Sequence, residues 1–330
     1  VTILSAAFSN KNNRTAPFMV DLNRDPRTDR GERISYTSTD AFEFTQILDG
    51  SAQPQEIFGD LELPKGAEQG DGPFPCLVIC HGSYGWRAHH LDYVDMFHEM
   101  GIATFRPHSF EARGTREVST TQVEVTMAMM ISDAYAALKL LAAHPKIDPD
   151  RIAIAGWSLG GGMAAYSAWE PLIEKLSPDG LRFAAHMPVY PACHIKTEDN
   201  RWSNAPMCIL MGEAEDYTPA APAVELVDDI NAHGGRAEII LYPDSYHSFD
   251  STDPVEYLPD VIALPPGRSA TVTRDGRMLT DSGKDVSTRD GRLEGFATLA
   301  KFGAHIGGNP AMREKAFADA RAFMSRTLLS

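Results

Sequence analysis

The sequence predicts an α/β fold with a mainly parallel central sheet flanked by helices. Short, wholly apolar runs such as Cys76 to Cys80 and Met207 to Met211 have the character of strands buried on both faces of a parallel sheet. From residue 75 onward such runs alternate with stretches of helical period, an order that calls for right-handed crossovers. The chain of 330 residues, 43% hydrophobic and 23% charged, is long enough to bury a large core in one domain.

The elements are justified in chain order. Residues 1–70 are rich in Asn, Asp, Arg, Thr and Ser and read as an N-terminal extension packed on the core. Within them Ala41-Phe42-Glu43-Phe44 and the stretch Gln55 to Leu63 alternate with period two, which predicts the strands of an antiparallel edge hairpin. Gly66 to Pro75 reads as a turn-rich linker, so the main domain is placed at 71–330. The strand Cys76 to Cys80 stops at His81-Gly82-Ser83-Tyr84-Gly85-Trp86. A helix follows with Leu91, Val94, Phe97 and Met100 at spacings of three, ending at Gly101.

Ile102 to Phe105 is the next strand, and Thr121 to Ala143 has the length and small-apolar content of a helix that Pro145 ends. Ile152 to Ala155 enters Gly156-Trp157-Ser158-Leu159-Gly160 and leaves into Gly161-Gly162-Met163-Ala164-Ala165, a strand, a tight turn and a helix. Further strands are expected at Phe183 to Val189, Met207 to Met211 and Ala237 to Leu241, with a helix from about Ala220 to Ala232. Residues 251–309, with Pro265-Pro266-Gly267 and several Asp-Gly pairs, read as a long irregular insertion before a last helix at about Ala311 to Leu329.

Charge and cysteine content narrow the function. A net charge of −15 without a local basic patch opposes contact with nucleic acid or an anionic membrane surface, and no apolar stretch approaches a membrane span. Cys76 and Cys80 sit in one extended strand about 13 Å apart, beyond disulfide reach. With Cys193 and Cys208 they read as buried thiols, and no Cys/His metal spacing occurs. The chain shows no signal segment, so the expectation is a cytoplasmic protein, with a processed exported chain as the alternative. A homo-oligomer stays open.

The chemistry centres on Ser158. A G-x-S-x-G pentapeptide between a strand and a helix is a nucleophile elbow, whose glycines permit a turn too sharp for side chains and leave the serine hydroxyl exposed above the sheet. In the α/β-hydrolase fold the partners follow in the order serine, acid, histidine. His247, in Tyr242-Pro243-Asp244-Ser245-Tyr246-His247 after the last strand, is the expected base. The acid belongs after the strand Met207 to Met211. There Gly212 and Pro219 bracket Glu215 in the usual register, which makes it the first choice with Asp216 close behind. Oxyanion donors are expected from the amide of Leu159, at a helix N-terminus, and from the amide of Ser83, with Tyr84 as runner-up. Trp157 and Trp86 are expected as aromatic walls of a substrate pocket, beside Arg87, His89 and His90.

From about Phe74 onward the chain resembles the dienelactone hydrolase family of α/β-hydrolases. The resemblance rests on His81-Gly82, Arg106-Pro107-His108-Ser109-Phe110 with Arg113-Gly114, His144-Pro145, Asp148-Pro149-Asp150-Arg151-Ile152, the elbow, the acid segment and His247-Ser248-Phe249. It implies a hydrolase working without a cofactor or metal on a small-molecule ester. It also implies that Arg113 answers to one of two arginines that hold a substrate carboxylate. The family's namesake enzymes carry a cysteine nucleophile and a glutamate beside it, where this chain has Ser158 and Gly82. In place of the second arginine it has Asp250 and Ser251, whose acidity would repel an anionic substrate. These departures point to the serine branch of the family, general carboxylesterases that work through an acyl-enzyme. A peptidase or thioesterase of the same fold is the rival reading, and a non-catalytic binding protein that kept the fold is the rival from another class.

Overall fold

The computed structural model describes residues 25–64, 72–264 and 270–330. Residues 66–71 of the expected Gly66 to Pro75 linker, the segment Pro265-Pro266-Gly267 and residues 1–24 of the N-terminal extension lie outside the described residues.

An eight-stranded sheet organises the chain. Its strands are β1 (Glu32–Thr39), β2 (Pro54–Glu62), β3 (Phe74–Cys80), β4 (Ala103–Pro107), β5 (Ile147–Trp157), β6 (His186–Val189), β8 (Met207–Gly212) and β9 (Ala237–Tyr242), in spatial order β1-β2-β4-β3-β5-β6-β8-β9. Every pair from β4 to β9 is parallel, while β2 runs antiparallel to both β1 and β4. The apolar runs behave as their composition requires: Cys76 to Ile79 and Cys208 to Met211 are wholly buried in the middle of the sheet. Helices α2 (Ala88–Glu99), α3 (Met127–Ala142), α4 (Leu159–Tyr166), α6 (Ala220–Ala232) and α8 (Pro310–Leu328) flank the sheet, with the short α1 (Phe44–Asp49) and α5 (Glu170–Leu176) at its margin. This is the α/β-hydrolase topology.

Two elements depart from the alternation read in the sequence. Ala41-Phe42-Glu43-Phe44 is not a strand but the entry to α1. Its buried residues Ala41, Phe44 and Ile47 fall at spacings of three, the helical period, and the Glu43 carboxylate caps the Phe44 amide at 2.9 Å. The hairpin partner of β2 is instead β1, in the register Tyr36↔Ile57. The helix expected from Thr121 begins only at Met127. Thr126 caps it through a bond from the Met129 amide at 3.3 Å, and the preceding β-branched Thr121, Val123 and Val125 stay in irregular chain.

The insertion is more ordered than its turn-rich composition suggests. β10 (Glu256–Ala263) and β13 (Lys301–Ile306) form an antiparallel ribbon, and α7 (Arg289–Leu299) precedes the ribbon's second strand. β11 (Ala270–Val272) pairs with β12 (Met278–Thr280) and, in parallel, with β7 (Ile195–Thr197). The Asp275-Gly276 pair that looked irregular closes the β11–β12 hairpin, with Gly276 at φ +83° and its amide bonded to the Thr273 carbonyl at 2.9 Å. All four cysteines are free and buried, and burial pushes the Cys193 thiol well above its ordinary pKa. No described helix is long and apolar enough to cross a membrane.

Candidate active site

β3 and β5 are neighbours with Val78↔Ile154 and Cys80↔Gly156 in register, so the two loops at their C-terminal ends emerge side by side. The β5 loop is the elbow. Ser158 stands at φ +56°, ψ −114°, a backbone state few side chains adopt, held by its amide bond to the Val189 carbonyl at 2.9 Å and by its carbonyl accepting from the Gly162 amide at 2.8 Å. The flanking glycines are needed for close approach rather than for their φ. A Cβ on Gly156 would lie 2.2 Å from the Gly160 carbonyl oxygen, and one on Gly160 would lie 2.5 Å from the carbonyl oxygens of Cys80 and His81.

His247 follows β9 and is only 2% exposed. Its Nε2 lies 2.9 Å from Ser158 Oγ and its Nδ1 lies 2.9 Å from Glu215 Oε2. With Nδ1–H donating to the carboxylate, Nε2 is free to accept the serine proton. The imidazole packs against two aromatic rings, Tyr190 with its centroid at 4.6 Å and Tyr217 at 4.5 Å. Glu215, in the loop after β8, is 7% exposed; its other oxygen accepts the amides of Tyr217 at 2.9 Å and Thr218 at 3.1 Å. The carboxylate is therefore aimed at the imidazole by its own loop.

Asp216, the neighbouring candidate, turns away. It accepts the His305 amide at 2.8 Å and meets the His305 ring at 2.8 Å, which ties the β13 strand of the insertion to the loop that carries Glu215. The structure thus brings Ser158, His247 and Glu215 together and leaves Asp216 outside the chain of bonds.

The β3 loop supplies the other side. A Cβ on Gly82 would lie 3.1 Å from Ser158 Cβ and 3.2 Å from the Trp157 carbonyl oxygen, so the glutamate that the resemblance puts beside the nucleophile would crowd the elbow. Gly82 to Gly85 form a turn closed by the Gly85 amide on the Gly82 carbonyl at 3.0 Å, which leaves the Ser83 amide outside the turn bond. The Ser83 hydroxyl accepts from Gln122 Nε2 at 2.8 Å and its carbonyl from the Val118 amide at 2.8 Å, so the loop is held from both sides. The Leu159 amide opens α4, where a helix has no earlier carbonyl to accept it. The Tyr84 side chain packs against the cluster of Tyr217, Val261, Ala263 and Ala304, and burial raises its phenol to about 12. His81 is a structural group: its Nδ1 lies 2.9 Å from the Gly82 carbonyl, its ring meets Phe110 edge-on, and burial lowers its pKa.

Three expected substrate residues stand elsewhere. Trp157 is fully buried; its Nε1 donates to Asp250 at 3.0 Å and its ring packs on His90 and Tyr93 of α2. Trp86 is buried between His81, His90 and His108. Arg113 grips both oxygens of buried Asp133 at 2.8 and 3.1 Å and Asp40 at 2.9 Å, so its guanidinium is already neutralised. Asp250 does not face the site either. It is fully buried, accepts Tyr190 Oη at 3.0 Å as well as the Trp157 indole, and burial raises its pKa.

A cavity of about 130 Å³ opens at Ser158, Ser83 and Leu159 and extends between Met127 of the core and Val286 and Phe296 of the insertion. These insertion residues were missed because their apolar side chains are scattered among polar ones with no single period. Burial also pushes His89 far below its ordinary pKa, beside Tyr190 Oη at 3.1 Å, so this histidine belongs to the buried network beneath the site. Among the described residues no group of three or more His, Cys, Asp or Glu side chains is arranged to hold a metal ion.

Comparison with known proteins gives a consistent picture. The family described as "Dienelactone hydrolase family" matches residues 62–261, more than half of the chain. A Methylorubrum extorquens protein with the provisional name carboxymethylenebutenolidase is 24% identical over 210 residues, spanning 59% of this chain and 68% of its own. An Escherichia coli protein with the same provisional name is 24% identical over 199 residues, spanning 56% and 70%. Among solved structures, esterase 2 of Thermogutta terrifontis phosphonylated by cyclosarin is 18% identical, with a TM-score of 0.49 over 67% of this chain and 86% of that one.

Proposed function

The chain belongs to the dienelactone hydrolase family, and on that premise we propose that it cleaves carboxylic esters through an acyl-enzyme on Ser158. The observation that carries this reading is the unbroken chain of bonds from Ser158 Oγ to His247 Nε2 and from His247 Nδ1 to Glu215, each 2.9 Å long. His247 takes the hydroxyl proton as Oγ attacks the ester carbonyl, and Glu215 keeps the imidazole in the required tautomer and stabilises the imidazolium. The amides of Leu159 and Ser83 bind the oxyanion, each contributing about 3 kcal/mol to the transition state. His247 then returns its proton to the departing alcohol, and water, activated by the same base, releases the acid. Neither a metal nor an organic cofactor is required by these steps.

The thiolester and amide readings use the same groups and differ only in leaving group. Fluorophosphonate labelling tests the common premise, because it needs an activated serine. The expected result is one adduct, on Ser158, that disappears in Ser158→Ala; folded protein that takes no label would remove the hydrolase reading. A panel of nitrophenyl esters, acyl thioesters and aminoacyl amides then separates the three substrate classes, with the esters expected to turn over fastest.

A further inference from the structure

The cavity above Ser158 is roofed by the insertion. Ile262 of β10, Met278 of β12 and Val286 and Phe296 around α7 face Met127 and Leu159 of the hydrolase body across it. Apolar walls of this kind take an apolar chain. The wall also contains one charged pair. Glu43, the cap of α1, is buried and bonded to Arg292 of α7, whose guanidinium also lies over the Phe42 ring with 4.6 Å to its centroid. The two charges cancel, and each is already satisfied by the other. Arg113, the cation expected to hold a substrate carboxylate, is fastened to Asp133 away from the cavity.

The cavity is lined by the nucleophile and by Ser83 and Leu159, the two residues whose amides are proposed to hold the acyl oxygen, so it receives the group attached to the ester carbonyl. The part of the ester that lies in the cavity is the part that stays on the serine. Resting on the hydrolase reading above, we propose that this chamber, built jointly by the insertion and the body, is the acyl pocket, and that it selects esters of uncharged, apolar carboxylic acids. An acid with a second carboxylate meets an arginine already neutralised by Glu43. Entering the chamber would leave that carboxylate desolvated and unpaired, which excludes it.

The test compares three 4-nitrophenyl esters on the full chain: acetate, hexanoate, and the monoester of adipic acid, which has the hexanoate chain length with a terminal carboxylate. The expected result is a KM for hexanoate more than about tenfold below that for acetate, and a kcat/KM for hexanoate more than about tenfold above that for the adipate monoester. In Glu43→Gln, Arg292 loses its counter-charge, and the hexanoate-to-adipate ratio should fall by about tenfold or more. Ala300→Phe, at the end of α7, adds bulk to the cavity wall and should raise the hexanoate KM relative to acetate by about tenfold. Equal use of hexanoate and adipate by the unmodified protein overturns the proposal, as does an unchanged ratio in folded Glu43→Gln. If Glu43→Gln does not fold, the unmodified protein and Ala300→Phe decide. Failure of the hydrolase reading looks different: no ester turns over and Ser158 takes no fluorophosphonate.

Discussion

Replacing Glu215 by Gln isolates one negative charge and one hydrogen-bond direction. The side chain's Oε1 accepts the amides of Tyr217 and Thr218 at 2.9 and 3.1 Å, and a glutamine must keep its carbonyl oxygen there. Its NH₂ group then faces His247 Nδ1, where Glu215 Oε2 now lies at 2.9 Å. Two donors cannot share that bond, so the imidazole moves its proton to Nε2, which points at Ser158 Oγ. The base is then protonated on the side where it should accept, and the charge that would stabilise the imidazolium is gone. A carboxylate-to-amide change with this geometry lowers kcat by about 10³- to 10⁴-fold, equivalent to about 4 to 5.5 kcal/mol of barrier.

The fold should survive, because the loop bonds from Tyr217 and Thr218 remain. The assay is steady-state turnover of 4-nitrophenyl acetate together with a thermal melt of the same preparation. Asp216→Asn is the control; its carboxylate serves His305 on β13, and it should stay within about threefold of the unmodified rate. A Glu215→Gln rate within tenfold of the unmodified protein, or a larger loss in Asp216→Asn, would refute the assignment of the acid.

Two further outcomes are expected. Asp250→Ala strips the Trp157 indole and the Tyr190 hydroxyl of their buried acceptor, which costs about 1 to 3 kcal/mol for each group left unpaired. The unfolding midpoint should fall by about 5 °C or more, and ester turnover should fall with it because Tyr190 packs on His247; an unchanged melting curve would contradict the buried network. For His108, burial disfavours the imidazolium, but the bonds to Asp60 at 2.7 Å and to Glu111 outweigh it and hold its pKa above the ordinary value. A raised folded pKa supplies stability that is complete below the unfolded value of about 6.5 and is lost as pH rises through the folded one. The gap in midpoint between the unmodified protein and His108→Gln should therefore be wider near pH 6 than near pH 9, and a gap that widens with rising pH would disprove the pairing.

Much of this architecture is written locally. The apolar runs at Cys76 to Cys80 and Met207 to Met211 can only be strands buried on both faces, and the helix Ala220–Ala232 has the bounds its pattern requires. The elbow is legible because glycines at 156 and 160 answer to contacts within a few residues of Ser158 or to the strand beside it. The chain order of Ser158, the acid segment and His247 follows from the strand order, so the site could be located before any contact was seen.

Other features depended on partners far away in the chain. Glu215 and Asp216 are adjacent and alike in chemistry; what separates them is that one loop turn faces His247 while the next residue meets His305, 89 positions further on. Trp157 sits next to Ser158 in sequence, yet its indole is buried against Asp250, 93 positions further on. Arg113 looks like a free cation until Asp133 closes on it from the next helix. The insertion residues that line the cavity, Ile262, Met278, Val286 and Phe296, lie on separate strands, a loop and a helix, so no single period joins them and only folding brings them to one wall with Ser158. The sequence alone pointed to Ser158, an acid at 215 or 216 and His247, in that chain order. The tertiary structure decided which of two neighbouring carboxylates meets His247, and what lines the cavity at Ser158, because both depend on contacts between segments that local pattern cannot bring together.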